Sequence, residues 1–73
     1  MYVAKWTVPA RTDVVESPCV VTLDEALMFA CGALFTRPND VWVETTAGYR
    51  LKDRKAIEQH GKVRGWLPKL HIA

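Results

Sequence analysis

Leu23, Ala26, Leu27, Ala30, Cys31 and Leu34 recur at steps of three and four. At about 100° per residue such spacing draws one apolar stripe along a helix. Ala33 and Phe35 flank the stripe, and Glu25, Gly32 and Thr36 lie opposite it. The pattern predicts a helix over Thr22–Thr36 lying on a sheet. Its start is marked by Thr22 and Glu25, which fit a capping box. In that arrangement the Thr22 hydroxyl accepts the Glu25 N–H and the Glu25 carboxylate reaches back to the Thr22 N–H. Asp24 and Glu25 also place negative charge in the first turn, where the helix dipole favours it. Phe29 breaks the stripe and points to the Glu25/Gly32/Thr36 side. It is either an aromatic partly covered by a loop or the tail, or an anchor for another protein beside a glycine that leaves room for it. Pro38 and Asn39 end the helix, because proline disfavours helical backbone in the preceding residue.

Shorter alternating patterns surround this helix. In Tyr2–Val8, Tyr2, Ala4, Trp6 and Val8 share one strand face, while Val3, Lys5 and Thr7 share the other. Val14–Val21 reads as a second strand with Val15, Cys19 and Val21 inward, at a sheet edge or interrupted where Pro18 has no N–H to donate. Residues Asp40–Lys52 form the clearest hairpin. A three-residue loop, Thr46-Ala47-Gly48 with Gly48 left-handed, sets Thr45 opposite Tyr49, Glu44 opposite Arg50, Val43 opposite Leu51 and Trp42 opposite Lys52. That register keeps polar and apolar faces apart, which a two-residue loop does not. Asp53 caps a short helix over Arg54–Gln59, ended by Gly61, with Ala56 and Ile57 as its apolar contacts. The tail from Lys62 keeps Val63, Trp66, Leu67, Leu70 and Ile72, more apolar area than a disordered segment carries. It either packs on its own domain or serves as an arm for another chain. The order is β-β-α-β-β-α: an α+β, two-layer fold with an antiparallel sheet of about four strands packed on one main helix, plus an ordered C-terminal tail.

At 73 residues the expectation is a single domain, residues 1–73, with 62–73 as a basic and apolar tail. Such a domain needs an efficient core or one shared with a partner. No apolar run approaches the ~20 residues of a membrane span, and MYVAKWTVPAR lacks a signal-peptide layout. A complete, soluble, cytoplasmic protein with no membrane partner is expected. Cys19 and Cys31 are too far apart for a CxxC redox or metal pair, and both are expected as buried free thiols.

The charge is uneven. Residues 1–48 carry three basic against six acidic side chains, and residues 49–73 seven against two. The basic third, with Trp66 among its charges, suits a phosphate backbone, an acidic protein surface, or simply a solvated face. By the register above, the open sheet face shows Lys5, Trp42, Glu44, Arg50 and Lys52. It lacks the aromatic run of RNA-recognition sheets, and a Trp42–Lys52 cross-strand stack explains the pair. Catalytic signals are weak: His60 and His71 have no ligand partner at helical spacing, Ser17 sits in no nucleophile elbow, and no glycine-rich loop is present. No cofactor, no metal and no enzymatic activity are expected.

The segment from 19 to 51, a helix after TLDEA followed by the VWVETTAGYRL hairpin, resembles several very small phage and bacterial proteins. Some phage-encoded anti-CRISPR inhibitors are among them. The resemblance implies a class of behaviour, binding a large complex and blocking it, and transfers no functional residue. Because many inhibitors that mimic DNA are strongly acidic and this chain is not, blocking a protein surface fits better than charge mimicry. The sequence therefore points to a non-enzymatic protein that occupies a surface of a macromolecular protein partner. Arg50, Lys52, Arg54, Lys55, Lys62, Arg64 and Lys69 would give encounter, and Phe29, Trp42 and Trp66 would be anchors. The runner-up is a small nucleic-acid-binding regulator using the same cations. A homodimer joining the acidic and basic parts is a third arrangement.

Overall fold

The structure, a computed structural model, describes residues 1–67. The elements follow the expected order: β1 (Tyr2–Thr7), β2 (Val15–Glu16), α1 (Leu23–Leu34), β3 (Asp40–Thr45), β4 (Arg50–Lys52) and α2 (Arg54–Arg64). The sheet is antiparallel with strand order β2-β1-β3-β4. α1 lies over β1 and β3, and α2 lies beside α1 over β3 and β4. Their shared core holds Ala4, Val41 and Val43 from the sheet, with Ala26, Leu27, Ala30 and Cys31 from α1 and Ile57 from α2.

Local chemistry accounts for the ends of α1. The Thr22 hydroxyl accepts the Glu25 N–H at 3.2 Å and donates to its carboxylate at 3.0 Å. The Glu25 carboxylate thus closes on the hydroxyl and not, as expected, on the Thr22 N–H. At the other end Arg37 takes a left-handed φ of 54° just before Pro38, which breaks the helical path.

Four expectations need correction. The second strand is reduced to Val15–Glu16, with a separate bridge from Tyr2 to Val20. Ser17 is the reason. Its N–H donates to the Ala4 carbonyl, its hydroxyl accepts the Ala4 N–H, and both bonds are 2.9 Å. The same hydroxyl donates to the Pro18 carbonyl. The edge bulges between Ser17 and Val20, so Val20 packs on the core while Cys19 and Val21 are exposed. Cys19 is therefore not a buried thiol, whereas Cys31 is.

The hairpin holds its expected register through Thr45/Tyr49 and Glu44/Arg50, with Gly48 at φ 97°. A bulge then pairs Val43 with Lys52, leaving Leu51 as the extra residue. Lys52 consequently leaves the outer face, and Arg50, not Lys52, covers Trp42. The second helix does not stop at Gly61 but runs to Arg64 and ends at Gly65, whose φ of 76° makes it the left-handed cap. Gly61 is needed inside the helix, since a Cβ there would stand 2.6 Å from Leu67 and 2.8 Å from the Cys31 Sγ. The chain after Gly65 turns back, with the Trp66 N–H on the Gly61 carbonyl at 2.9 Å, and buries Leu67 in the core. Up to Leu67 the tail packs on its own fold.

Candidate protein-binding surface

Once the core is filled, α1 still carries apolar side chains on its outer side. Phe29 is 42% exposed, Met28 52% and Phe35 59%. α2 covers one flank of α1, but nothing in the described residues covers the flank above β1 and β2. A shallow apolar groove of about 350 Å³ opens there, lined by Trp6, Met28, Phe29, Gly32, Ala33 and Thr36. A contiguous apolar surface on so small a fold is a mark of contact with another molecule. The sequence singled out Phe29 and its glycine neighbour but missed Trp6 and Met28. The signal for Met28 was the second apolar arc of α1, since a surface helix ordinarily turns a polar face to water. Trp6 lies on β1 and carried no local signal.

The other predicted residues do not assemble into one site. Trp42 is 8% exposed and lies flat on the outer face of the sheet. Its Nε1–H donates to Glu44 at 2.8 Å, and the Arg50 guanidinium sits 4.0 Å above its ring. The Lys5 ammonium is 3.0 Å from Glu44 and 4.0 Å from Glu16, and Arg50 is 3.9 Å from Asp40. The hydrogen bond from Trp42, then that from Lys5, hold the Glu44 carboxyl below its ordinary range, and the Glu44 bond pushes the Lys5 ammonium up. This face pairs two cations with three anions and spends its aromatic ring internally. It is neither a basic track nor a free stacking platform.

Arg54 is held by the Pro38 carbonyl at 3.0 Å and by Glu58 at 3.3 Å. Arg64 donates to Asp24 at 2.8 Å and lies 4.9 Å from the Trp66 ring, which packs 5.3 Å from the His60 ring. The His60 Nε2 is 3.4 Å from the same Asp24 carboxylate. This cluster ties the end of α2 to the start of α1, so Arg64 and Trp66 brace the fold and are not free contacts. Lys55 and Lys62 are exposed on α2. Lys52 lines a polar hollow of about 320 Å³ with Arg50, Leu51, Asp53 and Ala56. Lys69 and His71 lie outside the described residues. Among the described residues no three His, Cys, Asp or Glu side chains gather as metal ligands, and no helix is long and apolar enough to cross a membrane. Burial pushes the Cys31 thiol up, away from the reactive thiolate.

No protein family, curated protein or solved structure matches this chain.

Proposed function

We propose that this protein is a non-enzymatic binding module that works by occupying a protein surface. The observation that carries the reading is the uncovered apolar groove on the outside of α1, with Phe29 as its anchor. Burying an aromatic of this size in a matching site supplies most of the affinity of a small interface. Lys55 and Lys62, free in solvent on α2, add attraction towards an acidic surface and raise the rate of encounter. The resemblance to anti-CRISPR inhibitors suggests the class of target, a large complex that processes nucleic acid, blocked at one of its protein faces.

A second reading, a small nucleic-acid-binding regulator, draws on the hollow where Arg50 and Lys52 meet the start of α2. Asp53 stands in the same hollow and caps the helix through the Ala56 N–H at 2.9 Å, which opposes an incoming phosphate. The protein-binding reading is therefore the stronger. A tagged pull-down with and without nuclease, eluted by a salt gradient, separates the two. A stoichiometric protein band that survives nuclease and salt, and is lost with Phe29→Asp, supports the module. Nucleic acid released steeply with salt, and lost with Lys52→Ala and Lys55→Ala but not with Phe29→Asp, supports the regulator.

A further inference from the structure

We infer that the outer face of α1 pairs with the same face of a second copy, as an antiparallel helix pair in which Phe29 of each chain fills the space above Gly32 of the other. The inference rests on the reading of α1 as a protein-binding face, and it names the occupant. The basic surfaces of α2 then remain open, one on each copy, for any further target.

Gly32 is the first ground. It sits inside α1, and a Cβ added there would meet nothing within 4 Å. Glycine inside a helix is less favourable than alanine. Gly61 offsets that cost by admitting Leu67 and Cys31, whereas Gly32 meets nothing among the described residues that would offset it. A bare position on an exposed helix face is useful to something that approaches from outside.

The seam is the second ground. Glu25, Phe29 and Gly32 follow one another on α1 at steps of four and three, the spacing of the contact positions in a helix pair. Thr36 follows four on, in the turn just past the helix end. In an antiparallel pair, position numbers that face each other add to a constant. Centring the pair between Ala30 and Cys31 sets Phe29 opposite Gly32 twice over, large against empty. The same centring sets Glu25 opposite Thr36, next to Arg37 of the other copy. Arg37 is exposed and makes no ion pair among the described residues. One register thus satisfies shape and charge together. A parallel pair satisfies neither, because it sets Phe29 on Phe29, Gly32 on Gly32 and Glu25 on Glu25. Met28 and Phe35 flank one side of the seam, and Trp6 with Ala33 the other.

A two-fold pair of this kind is closed and self-complementary. α1 has 12 residues, which gives a seam about 18 Å long. Such a contact is smaller than the roughly 800 Å² per partner of a standard interface, so a dissociation constant on the order of micromolar is expected. This arrangement differs from a dimer held by the opposite charges of the two halves, which would use α2.

Sedimentation equilibrium of the purified chain from about 1 µM to 1 mM tests it. The wild type should pass from monomer to dimer across that range. Gly32→Phe, at a position where an added Cβ meets none of the described residues, should remain monomeric while keeping its circular dichroism spectrum. The double variant Phe29→Ala/Gly32→Phe exchanges knob and hole and should restore the dimer to within about tenfold of wild type. A wild type that stays monomeric throughout, or a Gly32→Phe chain that dimerises as well as wild type, overturns the inference. Binding of an apolar dye separates its failure from failure of the underlying reading. A monomeric wild type that binds the dye, and loses it with Phe29→Asp, keeps the docking face and loses the second copy. A monomer that binds no dye loses both.

Discussion

Glu44 shows how one side chain can settle the character of a surface. It accepts hydrogen bonds from both Trp42 and Lys5 and lies opposite Arg50, so an aromatic and two cations that look like recognition chemistry are engaged within the fold. Its carboxyl titrates below the ordinary range when folded. The stabilisation is therefore complete above the unfolded value, ~4.3, and is lost as pH falls through the folded value. Glu44→Gln should lower the denaturation midpoint at neutral pH and flatten the loss of stability between neutral pH and about pH 3, as followed by urea melts at stepped pH. Ser17 decides the path of the sheet edge in the same way. Its hydroxyl is the acceptor for a buried amide, so Ser17→Ala should cost about 1–2 kcal/mol in the same melts. The two thiols differ as sharply. A thiol reagent should modify Cys19 quickly in the native protein, and Cys31 at the rate of opening or unfolding.

Among the elements, α1 and the β3–β4 turn were legible in the sequence because their signals are local. The Thr22–Glu25 cap, the stripe of small apolar residues and Gly48 after Thr45 each act within a few positions. What escaped depended on distant partners. Gly61 reads as a stop because glycine usually ends helices, yet here it is the place where Cys31 and Leu67 approach the backbone of α2. β2 reads as a full strand from its valines, but Ser17 bonds to Ala4, thirteen positions away, and that contact diverts the edge before Cys19. The bulge at Leu51 took Lys52 away from Trp42 and left Arg50 over the ring. Of the candidate contact residues, Phe29 was found because it violates a pattern, whereas Trp6 belongs to another element and joins it only in the fold. The close approach at Gly61 carries its own prediction. Gly61→Ala should destabilise by about 1–3 kcal/mol despite the better helix propensity of alanine. Much of that penalty should vanish in a Leu67→Ala background, a coupling that a double-mutant cycle in urea reads directly.

For the whole molecule, the layers are unequal. Two helices cover the sheet above β1, β3 and β4, and the ground above β2 is left to Trp6 and the flank of α1. Among the described residues an apolar groove thus lies on one side of α1, while Lys55 and Lys62 stand on α2. If the second copy completes the helical layer, folding and association are linked. The melting temperature of the wild type should then rise with protein concentration, and that of Gly32→Phe should not; calorimetry at two concentrations a hundredfold apart checks it.

The reduced outer strands have a consequence for what such association can become. β2 offers two residues before Pro18 and Ser17 divert it, and β4 offers three beside a bulge. Neither rim presents a long straight row of open amides and carbonyls on which another chain could template itself. Among the described residues, growth into fibres by strand addition has little foothold, and if the helices do pair, the two-fold contact closes on itself.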